Sequence, residues 1–176
     1  MQQLATMIGV LVAAIASESS GPKLGEEITP FAMRGVLDDE AGKTIDLVKE
    51  AAGKPLVVFF LHERTRPSVA LARQVLTDAA ARKGEGLEAG LVLLMPDVPE
   101  TEEWINIARQ ALPRGVPIGV FTGGVEGPPA WNLNRQVQVT VVIAKNNRVE
   151  ANFALTQPRV DEDGAKIAQA IAKVLR

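Results

Sequence analysis

Apolar and polar positions along this chain form an alternating series of strand-like and helix-like periods. The clearest is Leu56 to Leu61, an unbroken Leu-Val-Val-Phe-Phe-Leu run that reads as a central strand covered on both faces. A polar corner follows, His62-Glu63-Arg64-Thr65-Arg66-Pro67-Ser68. Beyond it Val69, Ala72, Val75, Leu76, Ala79 and Ala80 recur at helical spacing, which predicts a helix over 66–82. Thr65 stands where an N-cap is needed. Pro67 falls in the first turn, where its missing N–H has no partner to lose. The corner thus lies at the C-terminal end of a strand, where open α/β sheets place their sites.

Upstream, Phe31 to Leu37 predicts a strand, Asp38 to Gly42 a turn and Lys43 to Ile45 a short return strand. Asp46 is a candidate N-cap for a short helix that stops at Gly53-Lys54-Pro55. Downstream, Leu87 to Met95 is a second buried strand. Glu100 to Leu112 predicts an amphipathic helix facing inward through Trp104, Ile107, Ala108 and Ala111. Val116 to Phe121 reads as a shorter strand, Thr122 to Pro129 as a loop and Ala130 to Arg135 as one helical turn. Val137 to Ile143 is a β-branched strand, turned at Lys145-Asn146-Asn147 into an antiparallel return over Arg148 to Leu155. A last helix over 161–175 turns Ile167, Ala168, Ile171 and Val174 inward, with the acidic stretch Asp161 to Asp163 at its start. Alternating β and α elements predict a sheet with a parallel part covered by helices, and the hairpin adds antiparallel strands at one side.

The N-terminus has a different pattern. Leu4 to Ala16 is almost wholly apolar and ends in Ala14-Ile15-Ala16, a small-x-small pattern before Ser17. We expect a cleaved signal peptide over 1–16 and an extracytoplasmic product, periplasmic or secreted. The run is too short to span a bilayer comfortably, so no stable membrane span is expected after cleavage. Met1-Gln2-Gln3 supplies no Lys or Arg, so a short buried or membrane-associated helix stays open as the alternative. Ser17 to Pro30, rich in Ser, Gly, Pro and Glu with no apolar period, is expected to be a linker, which leaves 31–176 as one domain.

Composition then removes chemistry. The 176 residues contain no Cys, which rules out disulfides, thiolate catalysis and Cys-ligated metal sites. A single His removes multi-His metal sites within one chain, and no metal or other cofactor is expected. A net charge of -2 and the absence of Tyr argue against a nucleic-acid partner. Gly123-Gly124 and Gly127 do not make a phosphate loop, and Asp161 to Gly164 lacks the remaining ligands of a calcium loop.

The order of elements resembles the thioredoxin-like superfamily, in its peroxiredoxin and membrane-anchored-thioredoxin variants. Gly53-Lys54-Pro55-Leu56-Val57-Val58-Phe59-Phe60 looks like the strand entering their active-site corner, and Val137 to Val149 like their later hairpin. The resemblance covers roughly Lys23 to Arg176. It implies a three-layer α/β sandwich with a mixed sheet and an N-terminal hairpin extension. The departures fall on the chemistry. Where a thioredoxin has Cys-x-x-Cys this chain has Thr65-Arg66-Pro67-Ser68, and only Pro67 remains. Where a peroxiredoxin has Thr-x-x-Cys the chain keeps Thr65 and puts Ser68 in place of the thiol. The position of the family's cis-proline falls on Gln138 or Val139.

A hydroxyl forms neither a sulfenic acid nor a disulfide, so the family's redox activity does not carry over. Two readings of the corner remain. In one, the helix N-terminus with Arg64, Thr65, Arg66 and Ser68, flanked by His62 and joined by Arg135, takes a small anion such as a carboxylate or phosphate. In the other, Thr65 and Ser68 cap the helix and both arginines sit in solvent. A hydrolytic triad of His62, Glu63 and Ser68 is disfavoured, because adjacent strand residues point to opposite faces. The expected function is therefore an exported, non-catalytic binding or interaction module, whose partner is a protein or a small anionic ligand. The alternative is an enzyme of the oxidoreductase family with altered chemistry at Thr65 and Ser68.

Overall fold

The computed structural model describes residues 18–176. The expected signal segment, and Ser17 of the expected linker, lie outside the described residues. Seven strands form one mixed sheet: β1 (Met33–Gly35), β2 (Thr44–Ile45), β3 (Leu56–Leu61), β4 (Glu88–Leu93), β5 (Ile118–Val120), β6 (Val139–Lys145) and β7 (Arg148–Leu155). Their order across the sheet is β2-β1-β5-β4-β3-β6-β7. β3, β4 and β5 run parallel, while β6 lies antiparallel to β3 and β7 antiparallel to β6. The short β1–β2 hairpin joins the far side through an antiparallel β1–β5 pair.

Four helices cover this sheet: α1 (Leu47–Ala51), α2 (Arg66–Ala81), α3 (Val98–Ala108) and α4 (Val160–Val174). β3 explains the layering. Its side chains alternate between faces, and each face is covered, so every residue of the strand is buried. Val57, Phe59 and Leu61 pack with Leu71, Leu76, Ile105 and Ile167 of α2, α3 and α4. Leu56, Val58 and Phe60 pack on the other face with Leu47 and Val48 of α1 and with Phe31 and Trp131. The result is a three-layer α/β sandwich, the architecture of the thioredoxin-like fold. Among the described residues no helix is long and apolar enough to cross a membrane.

Local chemistry sets the helix starts. Asp46 accepts from the Lys49 N–H, Thr65 from the Ser68 N–H and Asp97 from the Glu100 N–H, so three helices carry side-chain N-caps. At α4 the Asp163 carboxylate reaches back to the Arg159 N–H at 2.7 Å. The β6–β7 turn places Asn146 and Asn147 at φ +53° and +59°, the left-handed pair that a two-residue hairpin requires.

Two segments differ from the sequence reading. Residues 19–30 are a strap along β6 and β7, not a free linker. Gly25 N–H and Ile28 N–H donate to the Val149 and Asn147 carbonyls, and Ile28 is buried. Backbone pairs and polar side-chain contacts carry this attachment, so it leaves no apolar period in the sequence. α3 begins at Val98 and ends at Ala108; Thr101 and Ile105 are buried and Trp104 and Ala108 pack partly against the core as expected, while Ile107 is 76% exposed and Ala111 lies exposed beyond the helix. The cap sets the start, since Asp97 begins the helix two residues earlier than the acidic run suggests, with Pro99 in the first turn; the inward stripe is 101, 104, 105 and 108, and its polar member Thr101 is passed over by an apolar spacing.

Candidate functional site

The corner is built by the end of β3, the start of α2 and the residue that enters β6. β3 ends at Leu61, and the backbone N–H groups of His62 and Glu63 both donate to the Gln138 carbonyl, at 2.9 and 3.3 Å. Thr65 is extended (φ -80°, ψ 155°) and caps α2. This brings three side chains together. Thr65 Oγ1 lies 2.5 Å from Ser68 Oγ, and the two hydroxyls lie 2.7 and 3.0 Å from Gln138 Oε1. Ser68 is fully buried.

Counting protons orders this triangle. Thr65 Oγ1 already accepts the Ser68 N–H at 3.3 Å. If both hydroxyls donated to Gln138, no proton would lie on the short Thr65–Ser68 contact. One hydroxyl therefore donates to the other, and that second hydroxyl donates to Gln138 Oε1; both orders, Ser68 to Thr65 to Gln138 and Thr65 to Ser68 to Gln138, satisfy the contacts. Each hydroxyl proton then has an internal acceptor. The corner is a closed hydrogen-bond cluster, with no base poised on either oxygen.

His62 serves another part of the molecule. Its Nε2 lies 3.0 Å from Thr140 Oγ1, which lies 2.6 Å from Ser20 Oγ, which in turn accepts the Asn134 N–H at 2.9 Å. Its Nδ1 is buried without a partner. Burial holds the imidazole well below its ordinary pKa, at about 4, so it is neutral at pH 7. Neither ring nitrogen bonds to Thr65 or Ser68, so the structure holds no His–Ser pair for nucleophilic catalysis.

The three arginines have different surroundings. Arg64 makes a two-point contact with the Glu100 carboxylate at 2.9 and 3.0 Å and lies 5.2 Å from the centroid of the Trp104 ring. Arg135 pairs with Glu126 at 3.4 Å. Arg66 and Pro67 are exposed on the first turn of α2. Arg66 is the corner arginine without a carboxylate partner among the described residues. Trp131 is core: it sits edge-on to Phe31 and Phe60, both with centroids at 5.2 Å, and its indole N–H donates to the Thr29 carbonyl. The described residues contain no group of His, Asp and Glu able to hold a metal ion.

Four contributors escaped the sequence reading: Ser20, Thr140, Glu100 and Trp104 in these contacts. Glu100 and Trp104 are four apart on one helix face, a spacing that could have flagged a seat for a cation. Ser20 meets Thr140 across 120 positions, and no local signal marks such a pair.

No protein-family model matches the chain, and no curated protein matches it in sequence. Solved structures do match in shape. A protein assigned as the thiol:disulfide interchange protein DsbE of Chlorobium tepidum superposes with a TM-score of 0.70 at 15% identity, over 88% of this chain and 99% of that one. The exposed lipoprotein thioredoxin Etrx1 of Streptococcus pneumoniae gives 0.61 at 16% identity, over 82% and 99%. Peroxidoxin BcpB of Mycobacterium tuberculosis gives 0.61 at 13%, over 86% and 97%. At these identities the likeness is one of fold. The chain has the thioredoxin-like fold, and it has no cysteine.

Proposed function

We propose that this is an exported thioredoxin-fold protein that works as a binding or interaction module without redox turnover. The observation that carries the reading is the closed cluster of Thr65, Ser68 and Gln138 at the corner. It occupies the place of the thiols in the resemblance, and its protons are already spent on internal partners. Thiol–disulfide exchange needs a thiolate and a sulfur leaving group, and this chain supplies neither. The partner is a protein or a small anionic ligand. Exposed Arg66 at the free end of α2 supports the anionic choice. Support for export comes from the apolar run Leu4 to Ala16 and from the exposed lipoprotein among the structural neighbours.

The test is a peroxide and disulfide reductase assay with added thiol reductant. Turnover at the level of the buffer control is expected. Turnover above that level, abolished by Thr65→Ala or Ser68→Ala, would overturn the reading. A phosphate titration divides the partner classes: no binding at millimolar phosphate leaves a protein partner. Export is checked by the mass of the product recovered outside the cytoplasm, which should lack residues 1–16; an intact Met1 there would refute cleavage.

A further inference from the structure

A cleft of about 650 Å³ opens at the end of the sheet opposite the corner, where β4 and β5 begin. Its size is that of an ordinary small-ligand or short-peptide site. One wall is the helical turn after β1, with Asp38, Asp39 and Glu40. The rest of the charged lining comes from the end of α3, the loop into β5 and the turn before β4, with Arg109, Arg114 and Lys83. One ion pair ties the two parts together, Arg109 to Asp38 at 2.5 Å. The other charges stay unpaired: Lys83, Arg114, Asp39 and Glu40 form no ion pair with any described residue. Arg114 reaches only the Gln110 side-chain oxygen, at 2.6 Å. The lining also has apolar residues, among them Val116 and Pro117, both half-buried.

The lining therefore carries unpaired charge of both signs, Asp39 and Glu40 from one element and Lys83 and Arg114 from the others, around a space large enough for a ligand. A purely anionic ligand would meet Asp39 and Glu40, and a purely cationic one would meet Lys83 and Arg114. Only an occupant carrying both signs satisfies all four charges at once, and the apolar part of the lining favours a small apolar group beside them. We propose that this cleft is a second binding site, which takes a short peptide segment carrying a basic and an acidic side chain on either side of a small apolar residue. The site does not depend on how the corner is read, because the two lie at opposite ends of the parallel strands.

The test is an amide-resolved NMR titration of the whole protein with the peptide acetyl-Lys-Ala-Glu-amide, with acetyl-Gln-Ala-Gln-amide as the neutral control. Shifts are expected at residues 38–40, 83 and 109–118, absent at the corner, and weakened at least about tenfold in 0.5 M salt because exposed charges are screened. Lys83→Glu with Arg114→Glu should abolish them while leaving the remaining spectrum, and so the fold, in place. Equal binding of the neutral peptide, shifts confined to the corner, or no shift at millimolar peptide would each overturn the proposal.

Discussion

Thr65 and Ser68 place two oxygens 2.5 Å apart at the start of a helix. Two sulfurs bonded to each other need about 2.0 Å between them, so small side-chain rotations suffice to close that gap. The double variant Thr65→Cys, Ser68→Cys is therefore expected to form an intramolecular disulfide on mild oxidation. Intact mass would register the loss of two hydrogens. Two persistently free thiols would show that the corner does not hold dithiol geometry. His62 sets a pH dependence of its own. Burial lowers its pKa from 6.5 to about 4, so the unfolded chain takes up a proton before the folded one does. This contribution to stability is complete above pH 6.5 and is lost as pH falls towards 4, by about 3 kcal/mol in total. Urea denaturation between pH 6.5 and 5, above most carboxylate titrations, should show the decline in the native protein. It should flatten in His62→Gln; an unchanged slope would mean that His62 is not the group responsible.

The strap over 19–30 is the element with the least sequence signal. Asn152 secures it by donating to the Ser20 and Pro22 carbonyls, both at 2.8 Å. Gly21 fits only as glycine, with φ +91° and Asn152 2.9 Å from where a Cβ would sit. Asn152→Ala should cost about 1–3 kcal/mol by stranding these carbonyls, and hydrogen exchange should quicken over 20–28 before it does elsewhere. Uniform exchange across the domain would mean that the strap is not a separate unit. α3 offers a sharper contrast. Ile105→Ala removes a fully buried side chain and should cost about 2–4 kcal/mol, whereas Ile107→Ala on the exposed face should stay within about 0.5 kcal/mol. The reverse order would restore the inward face read from the apolar spacing.

At the scale of the molecule, β3 joins the two halves of the core. Its odd-numbered residues belong to the cluster under α2 and α4, and its even-numbered residues to the cluster around Trp131. Neither cluster can lose its share of β3 without exposing the other. Unfolding should therefore be one transition, with tryptophan fluorescence and far-ultraviolet dichroism sharing a midpoint. Separate midpoints would show that the layers melt independently. The sheet's outer edges are short or covered: β2 has two residues, and the strap covers the first part of β7. Edges treated this way resist strand-to-strand association between molecules.

The sequence by itself determined the class of fold and the order of its elements, because both are written in local periods. An unbroken apolar run marked β3, a 3.6-residue spacing marked α2 and α4, and Thr65 and Asp46 marked helix starts, since capping is a contact between near neighbours. The absence of cysteine likewise settled the loss of thiol chemistry without any structure. What only the tertiary structure decided were the contacts between distant positions. Gln138 closes the corner from 73 and 70 positions away. Glu100 and Trp104 draw Arg64 aside, and Ser20 turns His62 and Thr140 into part of the strap's attachment. A hydrogen bond between positions far apart in the chain leaves no period behind, so the same corner residues are legible as types and illegible as partners until the sheet brings them together.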